Sequence, residues 1–149
     1  MSEAQRVLQF TEESTGVRCP DAPIAMTRDQ VFFLLRMIMS ELDELVCTVA
    51  SDEQERDSML RDAVVKRDKS HIVSPAKASD QADALVDIWY YSLNAAAKHG
   101  INLSSVFDVV HQANMAKRDP ASGLFMRRSD GKILKPEGWT PPDIEAEIE

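Results

Sequence analysis

Two groups of acidic residues at helical spacing precede a short basic segment. Glu41 and Glu44 lie three residues apart, and Asp80, Asp83 and Asp87 follow in a second stretch. Residues three or four apart share one face of a helix. Carboxylates forced together repel and raise each other's pKa, and a divalent cation removes that cost. Oxygen ligands alone suit Mg²⁺ or Mn²⁺ rather than zinc. No Glu-x-x-His occurs, which argues against a ferritin-like di-iron site. Between positions 117 and 135 lie Lys117, Arg118, Arg127, Arg128, Lys132 and Lys135 against Asp119 and Asp130, a local charge of +4 in a chain of net −8. Such a strip reads as a phosphate clamp. Each set alone looks like a solvated polar face; together they point to a metal-dependent enzyme acting on a nucleotide.

Helices must position these groups. Glu3–Glu13 reads as a short helix, and Thr15–Ala25, with Gly16, Pro20 and Pro23, as a loop. Thr27 is an N-cap, and Gln30 completes a capping box. From there to about Ala50, Val31, Leu35, Ile38, Leu42, Leu45 and Val49 recur at three- and four-residue steps, with Cys47 expected as a buried thiol. Phe32, Phe33, Leu34, Met37 and Met39 fill the remaining faces, so the helix is expected to be covered on more than one side. Asp80–His99 is a second strong helix with Gly100 as its C′ residue, and Leu103–Arg118 a third. Ser51–Ser79 is charge-rich, with a weaker helical stretch over Asp52–Lys66. Ser129-Asp130-Gly131 predicts a β-hairpin between Leu124–Arg128 and Lys132–Lys135. Pro136, Gly138, Pro141 and Pro142 describe an extended arm, and 143–149 an acidic tail without expected order. The expected fold is all-α: a helical bundle of four-helix type completed by dimerisation, with a small C-terminal hairpin and arm, in one domain over 1–149.

The 149 residues are enough for one domain with a core. The net charge and the lack of a basic recognition helix argue against binding a nucleic-acid polymer. Cys19 and Cys47 fall in no zinc-like pattern. The polar start, Met1–Arg6, has no secretory apolar region, and Val31–Met39, broken by Arg36, is far short of a membrane span. A cytoplasmic protein with no membrane partner is expected.

The order Ser40-Glu41-Leu42-Asp43-Glu44, Asp83-Ala84-Leu85-Val86-Asp87, Asn114-Met115-Ala116-Lys117, Asp130-Gly131-Lys132-Ile133-Leu134-Lys135-Pro136 and Pro141-Pro142-Asp143 resembles the all-α NTP pyrophosphohydrolase superfamily. The likeness is to its MazG-like and phosphoribosyl-ATP pyrophosphohydrolase-like single-domain members, from about Val7 to Asp143. The acidic motifs are short; the Asn-Met-x-Lys and Asp-Gly-Lys-x-x-Lys-Pro ending is more specific. The resemblance implies Mg²⁺-dependent cleavage of a nucleoside triphosphate between its α- and β-phosphates, giving a monophosphate and pyrophosphate. It also implies self-association as a dimer or dimer of dimers. By position, Glu41, Glu44 and Asp87 match metal ligands, with Asp83 as a fourth, and Glu41 or Glu44 would assist proton removal. Asn114, Lys117, Lys132 and Lys135 match the substrate-binding ending. Ser40 stands where that pattern has its first Glu, and Ala84 where it has the Glu of Glu-x-x-Asp. Ser51–Ser79 is longer than the usual connection and reads as an insertion. The alternative is a non-catalytic helical module that binds nucleotide or a protein partner.

Overall fold

Six helices carry the chain: α1 (Glu3–Thr15), α2 (Arg28–Cys47), α3 (Glu53–Asp62), α4 (Ala78–Lys98), α5 (Leu103–Met115) and α6 (Ile144–Ile148). The structure, a computed structural model, describes residues 1–64 and 75–149. The all-α class holds. Of the segment read as an insertion, residues 65–74 lie outside the described residues. None of the described helices is long and apolar enough to cross a membrane.

The helix ends follow local chemistry. Thr27 and Gln30 form the capping box: the Gln30 N–H donates to Thr27 Oγ1 at 3.3 Å, and the Thr27 N–H to Gln30 Oε1 at 2.8 Å. The Ser2 and Gln5 side chains cap α1 in the same way. α2 stops at Cys47, short of Ala50, where the Thr48 hydroxyl donates to the Leu45 carbonyl at 2.7 Å. α4 ends as expected at Gly100, whose φ is +73°. The Ile101 N–H reaches the Ala96 carbonyl at 3.0 Å and the Gly100 N–H that of Ala97 at 3.2 Å, a Schellman ending. α5 stops three residues before Arg118, whose backbone bridges to Phe125 instead.

The expected hairpin does not develop into regular strands. The chain does reverse at Gly131 (φ +86°): the Arg128 N–H meets the Lys132 carbonyl at 2.9 Å, and the Leu134 N–H that of Met126 at 2.8 Å. Pairing stays at isolated antiparallel bridges, Arg118 with Phe125 and Arg127 with Ile133. A two-stranded ribbon with no third strand beside it gains little from extending further. In the acidic tail a short helix, α6, forms with Asp143 as its N-cap.

By internal contacts the described chain divides into two units. One comprises Met1–Ala22 and Leu85–Glu149, the other Pro23–Ala84, and α4 passes from one to the other. In the first, α1 and α6 both pack on α5. Arg6 pairs with Asp108 and lies over the Phe107 ring, 5.2 Å from its centroid. Arg118 pairs with Glu13, and Phe10 meets Phe125 edge-on at 5.5 Å. In the second, α3 packs on α2. The Met26 backbone exchanges two hydrogen bonds with the Gln81 side chain, at 2.6 and 3.0 Å, tying the start of α4 to the residue before Thr27.

A fork joins α2 to α3. Arg56 Nε and Nη2 reach the two oxygens of Asp43 at 2.6 and 2.7 Å. Those hydrogen bonds, and the guanidinium charge, hold the Asp43 carboxyl below its ordinary pKa. A lowered carboxyl pKa adds stability above the unfolded value of about 3.9 and loses it as pH falls through the folded value. Asp43→Asn should therefore flatten the fall in melting temperature below about pH 4. Identical acid limbs in the two proteins would show that the fork adds no stability.

Among the described residues only Ala96 and Ser14 are buried. Cys47, expected inside, is exposed. The apolar side of α2 is largely open as well: Phe33 and Leu45 are 66% and 64% exposed.

Candidate functional site

α2 carries Glu41 and Glu44 one turn apart, both exposed. Asp43 between them is committed to Arg56. Among the described residues, neither glutamate forms an ion pair. Ser40 does not replace the missing acid: its hydroxyl donates to the Met37 carbonyl of its own helix at 2.7 Å. On α4, Asp83 and Asp87 stand one turn apart and exposed, and Ala84 offers no polar group. The donors are thus two pairs of carboxylates on two helices. Their chemistry fits a hard divalent cation. Among the described residues, neither unit by itself gathers three or more His, Cys, Asp or Glu at metal-binding spacing.

The basic ending is the more complete part, and it lies within one unit. Lys117 sits just past the end of α5, half-buried, and its ammonium donates to Asn114 Oδ1, one turn back, at 2.7 Å. Burial first, and then the charges of Lys135 and Lys132, lower the Lys117 pKa. The structure therefore brings Asn114, Lys117, Lys132 and Lys135 into one neighbourhood. The arginines of the strip divide differently. Arg128 is held by Asp130 and Arg118 by Glu13. Among the described residues none of the three lysines forms an ion pair. A cavity of 240 Å³ opens beside them, lined by Lys117, Asp119, Met126, Leu134, Lys135 and Pro136.

Trp139 belongs to this group, and the sequence reading did not place it there. Lys135 Nζ lies 4.3 Å from its ring centroid and Lys117 Nζ 5.6 Å. The ring is anchored by Nε1–H donating to the Ala113 carbonyl at 2.7 Å. A tight turn brings it back: the Trp139 N–H reaches the Pro136 carbonyl at 3.1 Å, with Gly138 at φ +79°, where a side chain would be strained. Pro136-Glu137-Gly138-Trp139 is a turn signal that locates the indole near Lys135.

No curated protein matches the chain. A solved structure from Exiguobacterium sp. 255-15, described as a "putative NTP pyrophosphohydrolase", is 26% identical, with a TM-score of 0.77 over 99% of this chain and 94% of that one. Residues 12–114 match the family described as phosphoribosyl-ATP pyrophosphohydrolase, a span that takes in Glu41, Glu44, Asp83, Asp87 and Asn114 and ends before the three lysines. Since that match covers well over half of the sequence, the chain belongs to the phosphoribosyl-ATP pyrophosphohydrolase family.

Proposed function

We propose that this protein is a Mg²⁺-dependent nucleoside triphosphate pyrophosphohydrolase, cleaving between the α- and β-phosphates to give a monophosphate and pyrophosphate. The observation that carries it is the gathering of Lys117, Lys132 and Lys135 beside Asn114, half-buried at Lys117 and without a carboxylate partner among the described residues. A lysine whose charge is disfavoured by burial and by two neighbouring lysines is a binding site for a multiply charged anion. Family membership and the relative from Exiguobacterium sp. 255-15 support the choice of a nucleotide.

Glu41, Glu44, Asp83 and Asp87 would hold the cation, with Mn²⁺ as a substitute. When bound, it supplies a Lewis acid for the α-phosphate and lowers the pKa of water. Glu41 or Glu44 accepts the proton of the attacking water. Lys117, Lys132 and Lys135 hold the phosphates of the leaving pyrophosphate, and Asn114 fixes the direction of Lys117. The assay is pyrophosphate release from canonical and modified triphosphates with and without Mg²⁺; no metal-dependent release from any of them would overturn the reading.

The rival reading, a module that binds nucleotide or a partner without turnover, draws on Ser40 being turned into its own helix and on the bare Ala84. Tight binding with no hydrolysis would establish it.

The uncovered apolar side of α2 favours a second copy of the chain as its cover, because soluble monomers seldom expose contiguous apolar surface on this scale. We therefore expect a dimer or tetramer, and sedimentation that returns a monomer would remove that expectation. The cytoplasm, with its nucleotide pool and reducing poise, is the expected compartment for a chain whose two cysteines are both free. Neither a nucleic-acid polymer nor a membrane is an expected partner.

A further inference from the structure

We propose that Trp139 is a positioning residue of the phosphate site: its indole face keeps the ammonium groups of Lys117 and Lys135 together, aimed at one ligand. This role rests on the pyrophosphohydrolase reading above.

Three observations carry it. The ring is fixed, because Nε1–H donates to the Ala113 carbonyl on α5 at 2.7 Å, and the turn at Gly138 closes on the Pro136 carbonyl. Both lysines use it: Lys135 Nζ is 4.3 Å and Lys117 Nζ 5.6 Å from the centroid. Both line the same cavity, bordered also by Pro136 and by Asp119, whose carboxylate accepts from the Ser122 N–H and hydroxyl rather than from either lysine. Two like charges held close need something negative nearby. An aspartate or glutamate would meet that need, but it would consume N–H donors and oppose an incoming phosphate. The face of an indole attracts an ammonium through its quadrupole, carries no net charge and leaves the hydrogen-bond donors available. Among the described residues these lysines have no carboxylate partner, as such a device requires.

The test uses the full chain and inorganic pyrophosphate, followed by calorimetry, with helix content checked by circular dichroism. Trp139→Leu removes the face and is expected to weaken binding about tenfold; Trp139→Phe keeps a face and is expected to lose about two- to threefold. In a Lys135→Met background the step from Trp to Leu should cost clearly less than in the wild type, because the nearer of the two ammonium groups is gone and only Lys117 still meets the ring. The alkaline limb of binding should move to lower pH in Trp139→Leu and stay in place in Trp139→Phe. Unchanged binding in Trp139→Leu, or equal losses in the Leu and Phe variants, overturns the role. The chain has two tryptophans. In Trp89→Phe, therefore, pyrophosphate must change the remaining emission with the calorimetric midpoint, and a silent titration overturns the role even if Trp139→Leu unfolds the arm. A wild-type chain that binds no pyrophosphate defeats the pyrophosphohydrolase reading as well; wild-type binding that Trp139→Leu leaves intact defeats this inference alone.

Discussion

Glu44→Gln is expected to cut pyrophosphate release by about 10²- to 10⁴-fold, the usual worth of a positioned general base. Gln matches Glu in size and nearly in helix propensity, and Glu44 is exposed on α2 with no ion pair among the described residues. The fold should therefore not notice the change: helix content and melting temperature should match the wild type. What is lost is one negative charge and one proton acceptor. If Glu44 binds the cation, the Mg²⁺ concentration for half-maximal rate also rises. If it acts only as the base, the rate falls at every Mg²⁺ concentration. Glu41→Gln, run beside it, tells which of the two acids takes the proton. Full turnover with unchanged Mg²⁺ dependence in Glu44→Gln would take that residue out of the site.

What was legible in the sequence was local. The Thr27–Gln30 box and the Gly100 ending depend on groups within a few residues, and both appear as expected. The acids at i, i+3 and i, i+4 fall on α2 and α4 because the apolar period defines those helices. The rest depended on pairings across the chain. Nothing near Asp43 announces that Arg56, thirteen residues on, will claim it and leave Glu41 and Glu44 as the available pair. Cys47 follows an apolar period, yet period alone does not say what covers a face. The hairpin signal at Asp130-Gly131 correctly marks a reversal, but turn chemistry does not supply the neighbouring strand that a ladder needs. Trp139 stands in the Pro- and Gly-containing segment read as an extended arm, which instead turns at Gly138. That its ring meets Lys135 follows from the backbone of that turn, and that it meets Lys117 follows from where α5 stops.

Lys117→Met is expected to move affinity and stability in opposite directions. A hydrogen bond to a charged group is worth about 1.5–3 kcal/mol, so losing the ammonium should weaken nucleotide and pyrophosphate binding by roughly 10- to 100-fold. In the folded chain, burial and then the neighbouring Lys135 and Lys132 disfavour that same charge. A lysine with a lowered folded pKa destabilises the fold below its unfolded value, and the penalty disappears as pH rises past that value. Methionine has a similar length and no charge, so the ligand-free variant should melt higher than the wild type at pH 7. The gap should close as pH rises through the lysine range. Binding gives the mirror image: wild-type affinity is full while Lys117 is charged, and it falls at a pH below the ordinary lysine value. In Lys117→Met, which has no charge to lose at that position, that limb should be gone. Calorimetric binding from pH 7 to 10.5, with melting curves on the same samples, reads both. A variant that binds weakly and also melts lower would make Lys117 a structural contact through Asn114 and Trp139. One that binds as the wild type does would take Lys117 out of the phosphate site. Only the opposed pair of changes is the mark of a charge kept at a cost to the fold because the ligand needs it.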